Sequence, residues 1–198
     1  MGAGFGGGQR GPWLVRDTTW SRIGLALAAG LVAAAPRVRR RAGDVASLAY
    51  LQLPAYMLHQ YEEHGHGAFK REMNALLPPR VGRLTDGNIF LSNILGVWGV
   101  DIAATVAATR TPAAALLAPY LSVVNAGLHI GSALGTRRYN PGLWTALALF
   151  LPLGIASIRA IGRETRASAR AHGLCLAAAI ALHLLVVLGV VRERVPRD

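Results

Sequence analysis

A chain of 198 residues is the size of one domain. It is 53% hydrophobic and 16% charged, against about 25% charged in soluble domains, and its charges sit in short segments between long apolar runs. That excludes an ordinary water-soluble core and makes lipid the expected solvent. The net charge is +11, with 21 Lys and Arg of which only Lys70 is a lysine. These cations flank apolar runs, where anionic headgroups meet them, and leave little soluble surface for nucleic acid, which is not an expected partner. Cys175 stands alone, so an internal disulfide and a thiolate metal cluster are both excluded.

In chain order, residues 1–17 read as a disordered Gly-rich tail and 18–198 as one transmembrane domain. The first apolar run, Ile23–Ala35, needs residues 18–22 to reach the roughly 20 residues of a spanning helix. It also resembles a signal segment, but Pro36 follows the would-be cleavage site and a retained helix is the expectation. Arg37, Arg39, Arg40 and Arg41 then stop it at headgroup level. The second run, Val45–Leu58, spans only if His59-Gln60-Tyr61-Glu62-Glu63 continues the helix, with Pro54 kinking it. Residues 64–85 form a polar connection in which Phe69–Leu77 patterns as a short interfacial helix. Further spans follow at Asn88–Thr109, Pro112–Leu134, Pro141–Ile158 and Gly173–Val191. The fold class is therefore all-α, a polytopic transmembrane bundle of about six helices. The two sets of connecting segments carry 12 and 9 Lys and Arg, too even for the positive-inside rule to orient the chain.

Depth and angle bring the polar residues together. With the chain's starting side called A, helices two, four and six are expected to run towards the opposite side, B. At about 1.5 Å per residue, His59 and His129 fall in the half nearer B and His183 near mid-depth. Asp86, Asn88, Asn93, Tyr139 and Asn140 begin the returning helices on that same side. On helix two, Tyr56, Glu62 and Glu63 lie at i−3, i+3 and i+4 from His59, one stripe. On helix four, Ser122, Asn125, His129 and Ser132 occupy an arc of about 80°. Polar residues confined to one stripe of a membrane helix face the bundle interior.

Imidazole plus carboxylate suits a divalent transition metal, Zn, Fe or Mn, and His-x-x-Glu mirrors the spacing of carboxylate metal bundles. The competing reading is a hydrogen-bonded network that only locks the helices together. His64 and His66 read as loop histidines, with metal ligation the lesser alternative for each. Asp101, deep in helix three, suits helix pairing and proton transfer equally well.

The string His59-Gln60-Tyr61-Glu62-Glu63 resembles the signature of the HXXEE-domain family of bacterial membrane proteins. Asn125-Ala126-Gly127-Leu128-His129 and Tyr139-Asn140-Pro141-Gly142 resemble that family's downstream pattern. The likeness covers roughly residues 45–160. It implies an integral protein of the bacterial plasma membrane and supplies no reaction.

The residues themselves point to a metal-dependent membrane enzyme, hydrolytic or in a redox variant, acting on a lipid or other apolar small molecule. His59, His129 and Glu62 are the expected ligands and Glu63 the expected general base. Tyr56, Asn93, Ser122, Asn125, Tyr139, Asn140 and His183 are expected to support them. The rival readings are a transporter or metal- or proton-binding membrane protein, and a non-catalytic structural subunit.

Overall fold

The computed structural model describes residues 13–78 and 82–191, and all regular structure among them is helical. After a short 3-10 turn, Trp13–Val15, come α1 (Asp17–Tyr50), α2 (Gln52–His64) and the connecting helix α3 (Ala68–Leu76). Four further helices follow: α4 (Asp86–Ala108), α5 (Pro112–Thr136), α6 (Leu143–Glu164) and α7 (Ala169–Val191). The glycine-rich segment 1–12 lies outside the described residues.

The segment Thr18–His64 has 47 residues, too many for one crossing, and Gly43 resolves it. Its φ of +84° is closed to other residues at acceptable cost, and the chain reverses there. Arg39 Nε donates to Asp44 Oδ1 across the turn at 2.5 Å. Tyr50 Oη donates to the Leu31 carbonyl at 2.8 Å, and the Trp20 and His64 rings meet at 5.1 Å. The result is an antiparallel helical hairpin. Its second arm is interrupted at Leu51, one turn before Pro54, which has no N–H to give the Tyr50 carbonyl.

This hairpin corrects the expected polarity. Arg22 Nη2 donates to the Gly65 carbonyl at 3.2 Å, so α2 ends on the side where α1 begins. The polar end of the bundle is the chain's starting side, not the opposite one. A first helix that crosses must be followed by one that returns.

Asp86–Ala108, Pro112–Thr136 and Leu143–Glu164, like Thr18–His64, are long and apolar enough to cross a membrane, and the shorter apolar helix Ala169–Leu185 follows them. With the first segment folded double, these account for the six expected crossings. Leu95 and Leu134 are 68% and 74% exposed; in water that would be costly, whereas lipid is their natural neighbour. The protein is an all-α membrane bundle.

Small side chains let the helices approach closely. Ala46 and Ala49 of α1 pack with Ala104 and Ala108 of α4 and Ala115 and Ala118 of α5. Deeper polar contacts tie three helices: Gln52 Oε1 accepts from Ser122 Oγ at 2.9 Å, and Gln52 Nε2 donates to Ser157 Oγ at 3.1 Å. At the polar end Lys70 of α3 pairs with Asp86, and Thr85 Oγ1 caps α4 by accepting from the Asn88 amide at 3.2 Å. The expected start of the fifth span at Pro141 moves to Leu143. Gly142, at φ +99°, breaks the helical path before it.

Candidate metal centre

The string His59-Gln60-Tyr61-Glu62-Glu63 stays helical to the end of α2, which carries three ionisable side chains into the bundle. His59 is fully buried, Glu63 is 7% exposed and His129, from α5, is 9% exposed. One donor atom from each of these three lies within 4.8 Å of the others. Glu63 Oε2 is 3.7 Å from His59 Nε2, Glu63 Oε1 is 3.7 Å from His129 Nε2, and the two imidazole centroids are 4.8 Å apart.

The outer partners decide which nitrogens carry hydrogen. Thr145 Oγ1 donates its only proton to Glu62 Oε2 at 2.6 Å or to the Gly142 carbonyl at 3.2 Å. Either way its 2.8 Å contact with His59 Nδ1 makes that nitrogen the donor. Asn140 Nδ2 donates to the His129 carbonyl at 2.9 Å, which fixes the amide and turns its Oδ1 to His129 Nδ1 at 2.7 Å. His129 Nδ1 is therefore a donor as well. In the neutral imidazoles both Nε2 atoms carry lone pairs, and both face the Glu63 carboxylate. Among the described residues His59 Nε2 has no hydrogen-bond partner. Three acceptors facing one another repel unless a proton or a metal cation lies between them. Their spacing is near the about 3.4 Å that tetrahedral bonds of about 2.1 Å would give. Oriented histidines with an outer hydrogen bond are the usual form of metal-ligating imidazole.

Glu62 does something else. Its Oε1 accepts from Tyr139 Oη at 2.9 Å and the Trp144 amide at 3.0 Å, and its Oε2 from the Thr145 amide at 2.7 Å as well as from the Thr145 hydroxyl. Those amides are in the first turn of α6. Its N-cap is Gly142, which has no side chain to cap with, so Glu62 caps α6 from another helix. It reaches His59 only through the Thr145 hydroxyl, on the Nδ1 side of the ring. Burial, and then the hydrogen bond to Glu62, push the Tyr139 phenol up to about 12, so it remains a donor at neutral pH.

The remaining expected residues divide by position. Asn140 and Tyr139 belong to the site's outer contacts. Tyr56 stands edge-on to His59 at 6.3 Å, its buried hydroxyl without a hydrogen-bond partner among the described residues. Asn93 accepts from Gln60 Nε2 at 2.7 Å and so braces α2 from α4. Ser122 bonds Gln52, two turns away from His59. Asn125 keeps a buried Oδ1 with no hydrogen-bond partner among the described residues. His183 turns Nδ1 to the Ala179 carbonyl of its own helix at 2.8 Å.

Three further residues stand at the site: the sequence offers His64 only as a loop histidine and lesser ligand candidate, Gly142 only within the Tyr139-Asn140-Pro141-Gly142 stretch, and Thr145 not at all. His64 is the last residue of α2, 1% exposed, with Nε2 3.2 Å from Glu63 Oε2; a Gly-rich neighbourhood disguised it as a loop residue. Thr145 has no signal beyond its position three residues after a helix-starting glycine. Gly142 is required twice over: its φ is +99°, and a Cβ there would lie 2.7 Å from His59 Cε1 and 2.6 Å from His129 Cε1. Phe150 covers the His59 ring at 4.4 Å, from a π-helical turn, Ala146–Phe150, of the kind that recurs at functional sites.

One family model matches the chain, described as protein of unknown function with HXXEE motif, over residues 50–157. No curated protein and no solved structure matches it.

Proposed function

The chain belongs to that HXXEE family, a membership that brings no reaction with it, and we propose from the geometry that it is a metal-dependent membrane enzyme of hydrolytic type. Its substrate is a lipid or other apolar molecule met at one membrane face, in keeping with an integral protein of a bacterial plasma membrane. The observation that carries this reading is the convergence of His59 Nε2, His129 Nε2 and Glu63 on one point, with both imidazole tautomers set by Thr145 and Asn140.

Glu63 replaces Glu62 as the proposed carboxylate ligand, because the Glu62 oxygens are used on α6. Two histidines and a glutamate leave an open coordination position, the arrangement of catalytic rather than structural zinc sites. A divalent transition ion held there supplies Lewis acidity and makes water nucleophilic near neutral pH. The protein's share is positional. Thr145 and Asn140 hold the imidazoles, His64 holds Glu63, and Phe150 and Tyr56 keep water from the inner side. Tyr139 and Trp144, 50% and 68% exposed, stand beside the site as the aromatic residues of a membrane interface do, which suits an amphipathic substrate presented from the headgroup layer.

Two histidines and one carboxylate also suit ferrous iron, so the redox variant uses the same residues. The test is metal-dependent turnover. Purified protein is stripped with a chelator, reloaded separately with Zn²⁺, Mn²⁺ or Fe²⁺, and offered phospholipid, acyl-ester and acyl-amide substrates with products read by mass spectrometry. Hydrolysis restored by one of these ions supports the reading, and oxygen-dependent products with iron select the redox variant. Unchanged hydrolysis by the stripped protein contradicts it.

A further inference from the structure

The bundle end opposite the His/Glu site is strongly basic. Nine arginines belong to its connecting segments. Val45, Thr111, Pro112 and Glu164 meet around one cavity, which places the hairpin turn, the α4–α5 connection and the end of α6 at the same end. Most of these arginines are scattered surface charges, but two of them line a shallow, open groove.

That groove, about 310 Å³, lies between α6 and α7 and is lined by Ile158, Arg159, Gly162, Arg163 and His172. The four α6 residues share one face, at i, i+1, i+4 and i+5. Neither Arg159 nor Arg163 has a carboxylate partner among the described residues. His172 enters from α7, its Nδ1 held 2.9 Å from Tyr120 Oη. With the phenol donating, His172 Nε2 carries the hydrogen and faces the groove. Gly162 makes the room: a Cβ there would sit 2.9 Å from His172 Nε2. One turn on from His172, at i+4 on the same face of α7, Leu176 is 38% exposed, so an apolar strip continues from the polar mouth.

We propose that this groove binds the headgroup phosphate of an anionic phospholipid, with Arg159, Arg163 and His172 as donors and the acyl chains lying along Ile158 and Leu176. Three features select that occupant. Two unpaired guanidiniums match an anionic phosphate in charge and geometry. The groove opens at the last turns of a spanning helix, where headgroups lie. A basic recess between transmembrane helices at that depth is the usual form of a lipid headgroup site. It is separate from the proposed metal centre and stands or falls independently of it.

The test uses full-length protein in detergent, titrated with dioleoylphosphatidylglycerol or dioleoylphosphatidylcholine and read by native mass spectrometry. The expected result is at least tenfold tighter retention of the glycerol lipid. Arg159→Gln with Arg163→Gln should cut that preference about tenfold, with the metal content unchanged. Gly162→Ala keeps every charge but pushes His172 out of place, and should weaken the preference as well. Removing Arg37, Arg40 and Arg41 in the same way should leave most of it. Equal loss from the two arginine sets would show diffuse surface charge and overturn the site. Displacement of the lipid by millimolar inorganic phosphate would assign the groove to a free anion instead. No preference in the wild-type protein would overturn the proposal outright.

Discussion

A single methyl group at position 142 should disable the His/Glu centre without touching any of its charged residues. Gly142 sits at φ +99°, where a residue with a side chain is strained by about 1–3 kcal/mol. The added Cβ would also meet His59 Cε1 at 2.7 Å and His129 Cε1 at 2.6 Å, whereas carbon atoms rest at about 3.5–4.0 Å. The rings must therefore retreat by about 0.8 Å, several times the roughly 0.2 Å tolerance of a metal–ligand bond. Gly142→Ala should bind metal at least tenfold more weakly and melt earlier. Gly131→Ala, where a Cβ meets nothing within 4 Å, should do neither. The assay is competition for zinc with a chromophoric chelator, alongside a melting curve in detergent. Unchanged zinc affinity in Gly142→Ala would refute the placement of the two imidazoles around a shared ion.

Glu62→Gln should keep its metal and lose stability. An amide in place of one oxygen costs at least one of its hydrogen bonds to α6, about 1.5 kcal/mol at the low end for a charged acceptor, together with its charge at the helix N-terminus. A variant that melts normally but loses metal would make Glu62 the ligand. Thr145→Val leaves His59 Nδ1 without its acceptor and should lower metal affinity about 10–100-fold; equilibrium titration checks this, and wild-type affinity would remove the tautomer argument. Asp101 is fully buried, and both its carboxylate oxygens lack a hydrogen-bond partner among the described residues, so Asp101→Leu, which removes both oxygens at similar volume, should raise the melting temperature, relieving a burial cost of about 1–3 kcal/mol. A fall would show that this carboxylate holds a buried cation.

Much of this architecture is legible in residue spacing. The short second apolar run forces the helix through His59 to Glu63, because a shorter one cannot cross a bilayer. Counting along the helices then brings His59 and His129 to one depth. The separation of about 100° between Glu62 and Glu63 implies that they meet different neighbours, and they do. Which neighbour each meets is a tertiary matter. It depends on where α6 begins, and that follows from Gly142 ending the preceding turn at a φ no other residue takes comfortably. The side of the membrane was misassigned because the hairpin at Gly43 returns the chain to where it started. His64 illustrates another limit. Beside glycines it resembles a loop residue, yet one more helical residue puts it against Glu63, with Trp20 and Phe69 enclosing its ring. Thr145 was illegible because its role arises only when α2 and α6 meet.

The most direct test of the His59–Glu63–His129 centre is the metal content of protein purified without chelator, measured by plasma mass spectrometry against protein concentration. The account predicts about one divalent transition ion per chain, as a site with three protein ligands holds. Glu63→Gln, His59→Ala and His129→Ala should each lose most of it while retaining their helical circular dichroism. A wild-type protein that stays metal-free after incubation with Zn²⁺, Mn²⁺ or Fe²⁺, or a Glu63→Gln variant that keeps its full complement, would contradict it.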